Sequence, residues 1–215
     1  MKDNVYFVSG IDTDAGKSYV TGYLAAQWNK EGISTITQKF IQTGNYEYSE
    51  DIDLHRRIMG TGLLAEDYAG LTAPQIFTYP CSPHLASEID GRAIDFEAIR
   101  KATEILSERY GRVLLEGAGG LMVPLTRDML TIDYIRQMDY PVVFVTSGRL
   151  GSINHTLLSL EAIKSRNIKL AYMVYNMFPQ EKDTTISDDT RQYLKTFLAA
   201  EFPETEYIEV PVLSL

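Results

Sequence analysis

The residue order predicts an α/β fold, a doubly wound and mostly parallel sheet with helices on both faces. Short β-branched or aromatic runs alternate with runs of helical period along most of the chain, which implies parallel strands joined by crossover helices. Residues 142–146 (VVFVT) are almost wholly apolar, as a strand covered on both faces requires. A glycine-bearing turn separates the first apolar run from the first helical one, at the carboxyl end of a strand where open sheets of this kind bind ligands.

Residues 4–9 (NVYFVS) make the first strand. Tyr19, Val20, Tyr23, Leu24, Gln27 and Trp28 then recur at helical spacing and stop near Gly32. Tyr19, Tyr23 and Trp28 are read as helix core rather than as an aromatic cage. Residues 33–40 form a second strand, 112–115 a third and 142–146 a fourth. A helix over 152–166, a strand over 170–175, a helix over 187–200 and a closing strand over 207–210 follow. Between 51 and 109 the pattern is mainly helical, cut into short pieces by Pro74, Pro80 and Pro83. No repeat, low-complexity stretch or Pro/Gly/Ser linker divides the chain, so residues 1–215 are expected to form one domain.

The composition narrows the function classes. With 20 Lys+Arg against 29 Asp+Glu the formal net charge is −9, which disfavours nucleic acid, whose phosphates need a basic face. Hydrophobic residues make 45% and charged residues 23% of the chain, a globular balance. The one cysteine, Cys81, has no partner for an internal bridge. No apolar run approaches the roughly 20 residues that span a bilayer, and the N-terminus reads poorly as a signal peptide. A cytoplasmic protein without a membrane segment is expected.

The turn after the first strand reads Gly10-Ile11-Asp12-Thr13-Asp14-Ala15-Gly16-Lys17-Ser18 and leads into a helix. Such a loop offers backbone N–H groups and a helix N-terminus to an anion. Lys17 can reach the β- and γ-phosphates, and the Ser18 hydroxyl can ligate Mg²⁺. Five residues rather than four separate the two glycines, but Gly16-Lys17-Ser18 is intact. A chance Gly-Lys-Ser is disfavoured by the strand before it and the helix after it, so a nucleoside triphosphate site is expected, on a sheet of the P-loop NTPase type. The triphosphate calls for a metal-bearing carboxylate. Glu116 closes the third strand and precedes Gly117-Ala118-Gly119-Gly120. Glu50, Asp51 and Asp53 open a helix, a position the helix dipole favours by itself. Lys39 ends the second strand on the same rim, read as a solvent-facing charge whose removal leaves the fold intact. Two lysines near one γ-phosphate exceed what binding needs and suit phosphoryl transfer.

Together the loop from Gly10 to Ser18, Lys39 with Thr43-Gly44, Cys81-Ser82-Pro83-His84, Glu116-Gly117-Ala118-Gly119-Gly120, Leu150-Gly151-Ser152-Ile153-Asn154-His155 and Asn176 resemble the dethiobiotin synthetase family. The match runs in the family's order over nearly the whole chain. The resemblance implies an ATP- and Mg²⁺-dependent ligase of biotin biosynthesis. It would close the ureido ring of dethiobiotin from 7,8-diaminononanoate and CO2 (or bicarbonate), as a homodimer with sites near the subunit interface. By that resemblance Thr13, Asp14, Ala15, Gly16, Lys17 and Ser18 bind the triphosphate, and Ser18, Asp51 and Glu116 hold Mg²⁺, with Asp53 the alternative to Asp51. Lys39 is the active-site lysine and Lys17 its partner; Thr13 and Thr43 contact substrate. Gly117, Ala118 and Gly119 touch nucleotide, Asn176 the adenine, and Pro211, Val212 and Leu213 the rest of the base pocket. Leu150, Gly151, Ser152 and Asn154, from the partner subunit, meet the substrate carboxylate. Where the family commonly has proline after the active lysine, this chain has Phe40.

The implied chemistry passes through a carbamate and a carbamic–phosphoric anhydride and needs no side-chain nucleophile. The histidines His55, His84 and His155 lack metal-ligand spacing, and His84 and His155 are read as structural. An ATPase switch of the partitioning or septum-positioning type is the alternative. It would carry a lysine five positions before Lys17, where this chain has Asp12, and often ends in a basic amphipathic helix, whereas residues 201–215 are acidic. A cobyrinate-type amidating synthetase would need a glutaminase domain. A GTP-binding switch would need Asn-Lys-x-Asp, but Met177 follows Asn176.

Overall fold

A computed structural model of the protein describes residues 4–178 and 184–213. In chain order, β1 (Val5–Gly10) leads through a single 3-10 turn (Thr13–Ala15) into α1 (Lys17–Lys30), β2 (Thr35–Lys39) and β3 (Gln42–Thr43). After α2 (Glu50–Met59), α3 (Ala65–Tyr68), β4 (Ile76–Phe77), α4 (Pro83–Ile89) and α5 (Phe96–Arg109) comes β5 (Arg112–Gly120). The rest is α6 (Thr131–Met138), β6 (Val142–Ser147), α7 (Ser152–Ser165), β7 (Leu170–Asn176), α8 (Thr185–Glu201) and β8 (Glu206–Val210). Six strands form one sheet in the order β2-β5-β1-β6-β7-β8, and every pairing is parallel. The order reverses at β1, and the strand ends around it define the rim on which the loop after β1 sits.

Burial explains the order. All six residues of β6 are buried, as are Val113, Leu114 and Leu115 of β5 and Phe7 and Val8 of β1, so the central strands are covered on both faces. Tyr19, Val20, Leu24 and Trp28 of α1 are buried, but so are Thr21, Gly22, Ala25 and Ala26, whereas Tyr23 and Gln27 are half-buried, so the helix is covered well beyond the stripe read from the sequence. α2 lies close against α1 because Gly22 has no side chain there. An ideal Cβ would stand 3.1 Å from His55 Cα and from Ile58 Cβ. That contact brings the first turn of α2 beside the loop after β1. Ser49 caps α2, its hydroxyl accepting from the Ile52 N–H at 3.2 Å, and Glu50, Asp51 and Asp53 follow.

Several elements differ from expectation. β5 does not stop before Glu116 but runs on through the glycines to Gly120. Gly117 makes this possible, since a Cβ there would lie 2.7 Å from the Phe7 ring. The two-residue strands β3 and β4 pair in a separate small parallel sheet, too short to show a period. α6 was not anticipated; eight residues bury Ile132 and Ile135. Phe40, in place of the family's proline, is fully buried with its ring 5.4 Å from Phe7 and 4.6 Å from Tyr134. Among the described residues, no helix is long and apolar enough to cross a membrane.

Candidate functional site

The loop after β1 folds on its own polar groups. The Asp12 carboxylate accepts from the Asp14 N–H at 2.9 Å and pairs with Arg149 in the loop after β6. Gly16 takes φ +82°, the left-handed conformation that lets the turn become a helix start. Lys17 Nζ donates to the carbonyls of Asp12 (2.8 Å) and Thr13 (3.3 Å). Burial, aided by the nearby Lys39, brings the Lys17 ammonium down to about 8 although Glu116, Asp51 and Asp14 act the other way.

Beside it lies a buried ionic cluster. Lys39 Nζ meets Glu116 Oε1 at 2.8 Å and the Gly117 carbonyl at 3.3 Å, and pairs with Asp51. The Ser18 hydroxyl is 2.7 Å from Asp51 Oδ1 and 2.8 Å from Glu116 Oε1. Lys39 is 5% exposed, not the solvent-facing charge read from the sequence. β2 and β5 pair Lys39 with Glu116 in register, so both side chains enter the sheet's rim together. Burial works against the Lys39 charge, but Glu116 and Asp51 outweigh it and hold the ammonium up to about 12. Burial would raise Glu116; instead Lys39 and His55 hold its carboxyl far below the usual carboxylate range. Asp51, not Asp53, makes the contacts to Ser18 and Lys39.

A cavity of about 460 Å³ opens on this cluster, lined by Thr13, Lys17, Ser18, Lys39, Thr43, Asp51, Glu116, Ala118 and Gly119. Ile41, Gln42, Glu50, Pro80, Cys81, Ser82, Pro83 and Val123 complete its wall. Of these, Cys81, Ser82 and Pro83 belong to the motifs that carry the family resemblance, which assigns them no role. The oxygens of Ser18, Asp51 and Glu116 are the hard donors that Mg²⁺ takes up beside phosphates and water. Among the described residues no group of three or more His, Cys, Asp or Glu gathers into a metal cage, so such an ion would depend on the phosphates for its remaining ligands. The donor set fits Mg²⁺.

Other expected site residues lie elsewhere on the rim. Asp14 and Asn176 line a second cavity of about 290 Å³ with Arg149, Tyr175 and Arg191. The Asn176 amide donates to the Ala15 carbonyl at 3.2 Å and accepts from the Phe178 N–H at 3.1 Å, which ties β7 to the loop after β1. Pro211 and Leu213 are held by the Tyr19 hydroxyl, while Val212 is 40% exposed. Leu150, Gly151, Ser152 and Asn154 do not line the Lys39 cavity. Leu150 is 85% exposed, Asn154 is exposed, and the buried Ser152 hydroxyl at the start of α7 has no partner among the described residues. Sequence reasoning passed over His55, which is fully buried with Nε2 2.7 Å from Glu116 Oε2. The available signal was its spacing, four residues after Asp51 on one helix face.

Residues 4–212 match a family model described as an AAA domain. The chain is 46% identical over 211 residues to the ATP-dependent dethiobiotin synthetase BioD 2 of Pasteurella multocida, covering 98% of this chain and 99% of that one. It is 48% identical over 215 residues to the ATP-dependent dethiobiotin synthetase BioD of Chlorobaculum tepidum, covering 100% of this chain and 88% of the relative. Among solved structures, a ParA family ATPase from Chlorobium tepidum superposes with a TM-score of 0.54 at 13% identity, over 99% of this chain and 86% of that one. The signal recognition particle receptor FtsY of Elizabethkingia anophelis gives 0.53 at 12%, over 99% and 60%. At such identities these two share the fold alone.

Proposed function

Because the chain belongs to the ATP-dependent dethiobiotin synthetase family, we propose that it joins 7,8-diaminononanoate and CO2 into the ureido ring of dethiobiotin in biotin synthesis, converting ATP to ADP and phosphate, with residues 1–215 acting as one ligase domain. The observation that carries this reading is the meeting of Lys17, Lys39, Ser18, Asp51 and Glu116 at one end of a cavity large enough for more than a phosphate. A switch ATPase needs no second buried lysine aimed at a substrate-sized space. Asp12, which stands where the partitioning ATPases have their extra lysine, is occupied in capping and in the pair with Arg149.

One amine of the substrate adds to CO2 with loss of a proton, forming a C–N bond and a carbamate. A carbamate oxygen then attacks the γ-phosphorus, the bond to the bridging oxygen breaks, and ADP leaves. The second amine attacks the carbamate carbon of the resulting anhydride, expelling phosphate and losing its proton as the ring closes. Each step crowds anions together, and Lys39 and Lys17 supply fixed positive charge against that crowding. Ser18, Asp51 and Glu116 would hold Mg²⁺, which supplies neutralisation of the triphosphate charge. The backbone from Thr13 to Ser18 receives the phosphates, with Gly117, Ala118 and Gly119 alongside. Asn176 and Pro211, Val212 and Leu213 take the adenine, and Thr13 and Thr43 orient the amines.

Leu150, Gly151, Ser152 and Asn154 are assigned to the substrate carboxylate of the neighbouring subunit in a homodimer. In support, this segment starts a 14-residue helix, stands outside its own chain's Lys39 cavity and leaves the Ser152 hydroxyl without a partner among the described residues. Incubation with the diamine, bicarbonate, Mg²⁺ and ATP is expected to yield ADP and a cyclic urea in equal amounts. ATP turnover independent of the diamine, with no cyclic product, would overturn the reading.

A further inference from the structure

Glu116 has two carboxylate oxygens, and the structure gives them different neighbours. Oε1 faces Lys39 and Ser18 at 2.8 Å each. Among the described residues Oε2 faces only His55 Nε2, at 2.7 Å, and both side chains are fully buried. The other ring nitrogen, Nδ1, lies 3.0 Å from Thr37 Oγ1 on β2, and Arg56 Nη1 stands 2.8 Å from that same oxygen. Arg56 is in turn held by the Asp67 carboxylate through two bonds of 2.8 Å.

With a neutral His55 ring, donor and acceptor counts give this chain one consistent direction. An ionised carboxylate only accepts, so Nε2 must carry the proton that it shares with Glu116. Arginine only donates, so Thr37 Oγ1 accepts from Arg56 and has its own proton left to give. The partner within reach is His55 Nδ1, which accepts it. Every buried polar atom from Arg56 to Glu116 is then satisfied with the Nε2–H tautomer.

We propose that His55 is a positioning residue for Glu116: by occupying Oε2 it fixes the carboxylate so that Oε1 alone is presented to Ser18, Lys39 and a Mg²⁺ ion. This deepens the ligase reading, since it rests on Glu116 as a metal-side carboxylate. Outer partners of this kind orient ligands, and losing one costs about 10- to 100-fold in metal affinity or activity. The Arg56–Thr37 pair serves the same end one bond further out, by setting which ring nitrogen bears hydrogen.

Mn²⁺ binding to the full chain with a non-hydrolysable ATP analogue, followed by electron paramagnetic resonance, tests the proposal beside a Mg²⁺ titration of turnover. His55→Leu is expected to weaken metal binding by about 10- to 100-fold while metal-free nucleotide affinity stays at the parent value. His55→Gln, whose amide N–H can take the place of Nε2–H, is expected to restore most of that loss. His55→Asn, whose shorter amide reaches toward Thr37 instead, is expected not to. Parental metal affinity in His55→Leu would overturn the proposal. So would equal impairment of the Gln and Asn variants at parental melting temperature, which marks a packing role. Should the Leu variant fail to fold, the Gln and Asn pair decides by the same order of affinities. A metal effect in a protein that forms no cyclic urea would sink the reaction but not the role of His55. Product formation with unaltered metal affinity in the Leu and Asn variants would do the reverse.

Discussion

The two halves of the binding rim are built differently. On the β2–β5 side, Lys39, Glu116, Thr37, His55 and Arg56 are each 5% exposed or less and joined by direct hydrogen bonds or ion pairs. On the β6–β8 side, Leu150 is 85% and Val212 40% exposed, and the start of α7 keeps a buried hydroxyl without a partner among the described residues. Charges that must meet a phosphoryl group at fixed distances gain from being held in place in a low-dielectric setting before the ligand arrives. Groups that grip the ends of a ligand, or a second subunit, need only be presented. On the proposed reading, the contrast separates a preorganised reaction centre from an open set of anchors.

Lys39→Ala should separate the halves most sharply. It removes the cation shared by Asp51 and Glu116, and breaking a buried pair costs about 3–5 kcal/mol because a charge is left uncompensated. Loss of one such stabilising group also slows turnover by about 10²–10³-fold. Urea unfolding and a ring-closure assay would read both losses. A variant as stable as the parent would mean that the cluster is not held as the contacts indicate. Gly117→Ala comes next. Its Cβ would meet the Phe7 ring at 2.7 Å, and overpacking of this sort costs about 1–3 kcal/mol; an unchanged melting temperature would show that the β1–β5 seam can relax.

A smaller effect concerns acid. Burial favours neutral Asp67, but hydrogen bonds from Arg56, the Leu64 N–H and the Thr72 hydroxyl outweigh it and hold the carboxyl below its ordinary 3.8. A group whose folded value is depressed contributes stability above its unfolded value and loses it as pH falls through the folded one. The preorganised half should therefore weaken below about pH 4. Asp67→Asn should show a shallower fall in unfolding free energy over that acid range, and a slope equal to the parent's would place the acid sensitivity elsewhere.

The same division decides what the sequence could reveal. The loop from Gly10 to Ser18 was legible because its chemistry is local: turn, lysine, hydroxyl and helix start are contiguous. Glu116 and Lys39 were legible as strand-end positions, and β2–β5 register explains why they meet. Their burial was not legible, because it depends on α2 lying close to α1 at Gly22 and on Phe40 filling the space beneath. His55 carried one faint signal, its helical spacing from Asp51, and lacked the pairings by which a histidine usually announces itself. β3 and β4, two residues each, hold no period at all.

The exposed half yields the smallest structural effect and the most selective functional one. Leu150 is 85% exposed, so Leu150→Ala removes little apolar contact within the chain, and surface changes away from special features stay within about 0.5 kcal/mol. If the segment serves the substrate of a neighbouring subunit, the loss falls on binding rather than on the charges that stabilise transfer. KM for the diamine should then rise with kcat nearly unchanged, the signature of an interaction equal in ground and transition states. Sedimentation of parent and variant at several protein concentrations would show whether the proposed dimer forms and whether the change loosens it. A fall in kcat at parental KM would instead place Leu150 in the reaction centre, and the distinction between a preorganised half and an open one would fail at that residue.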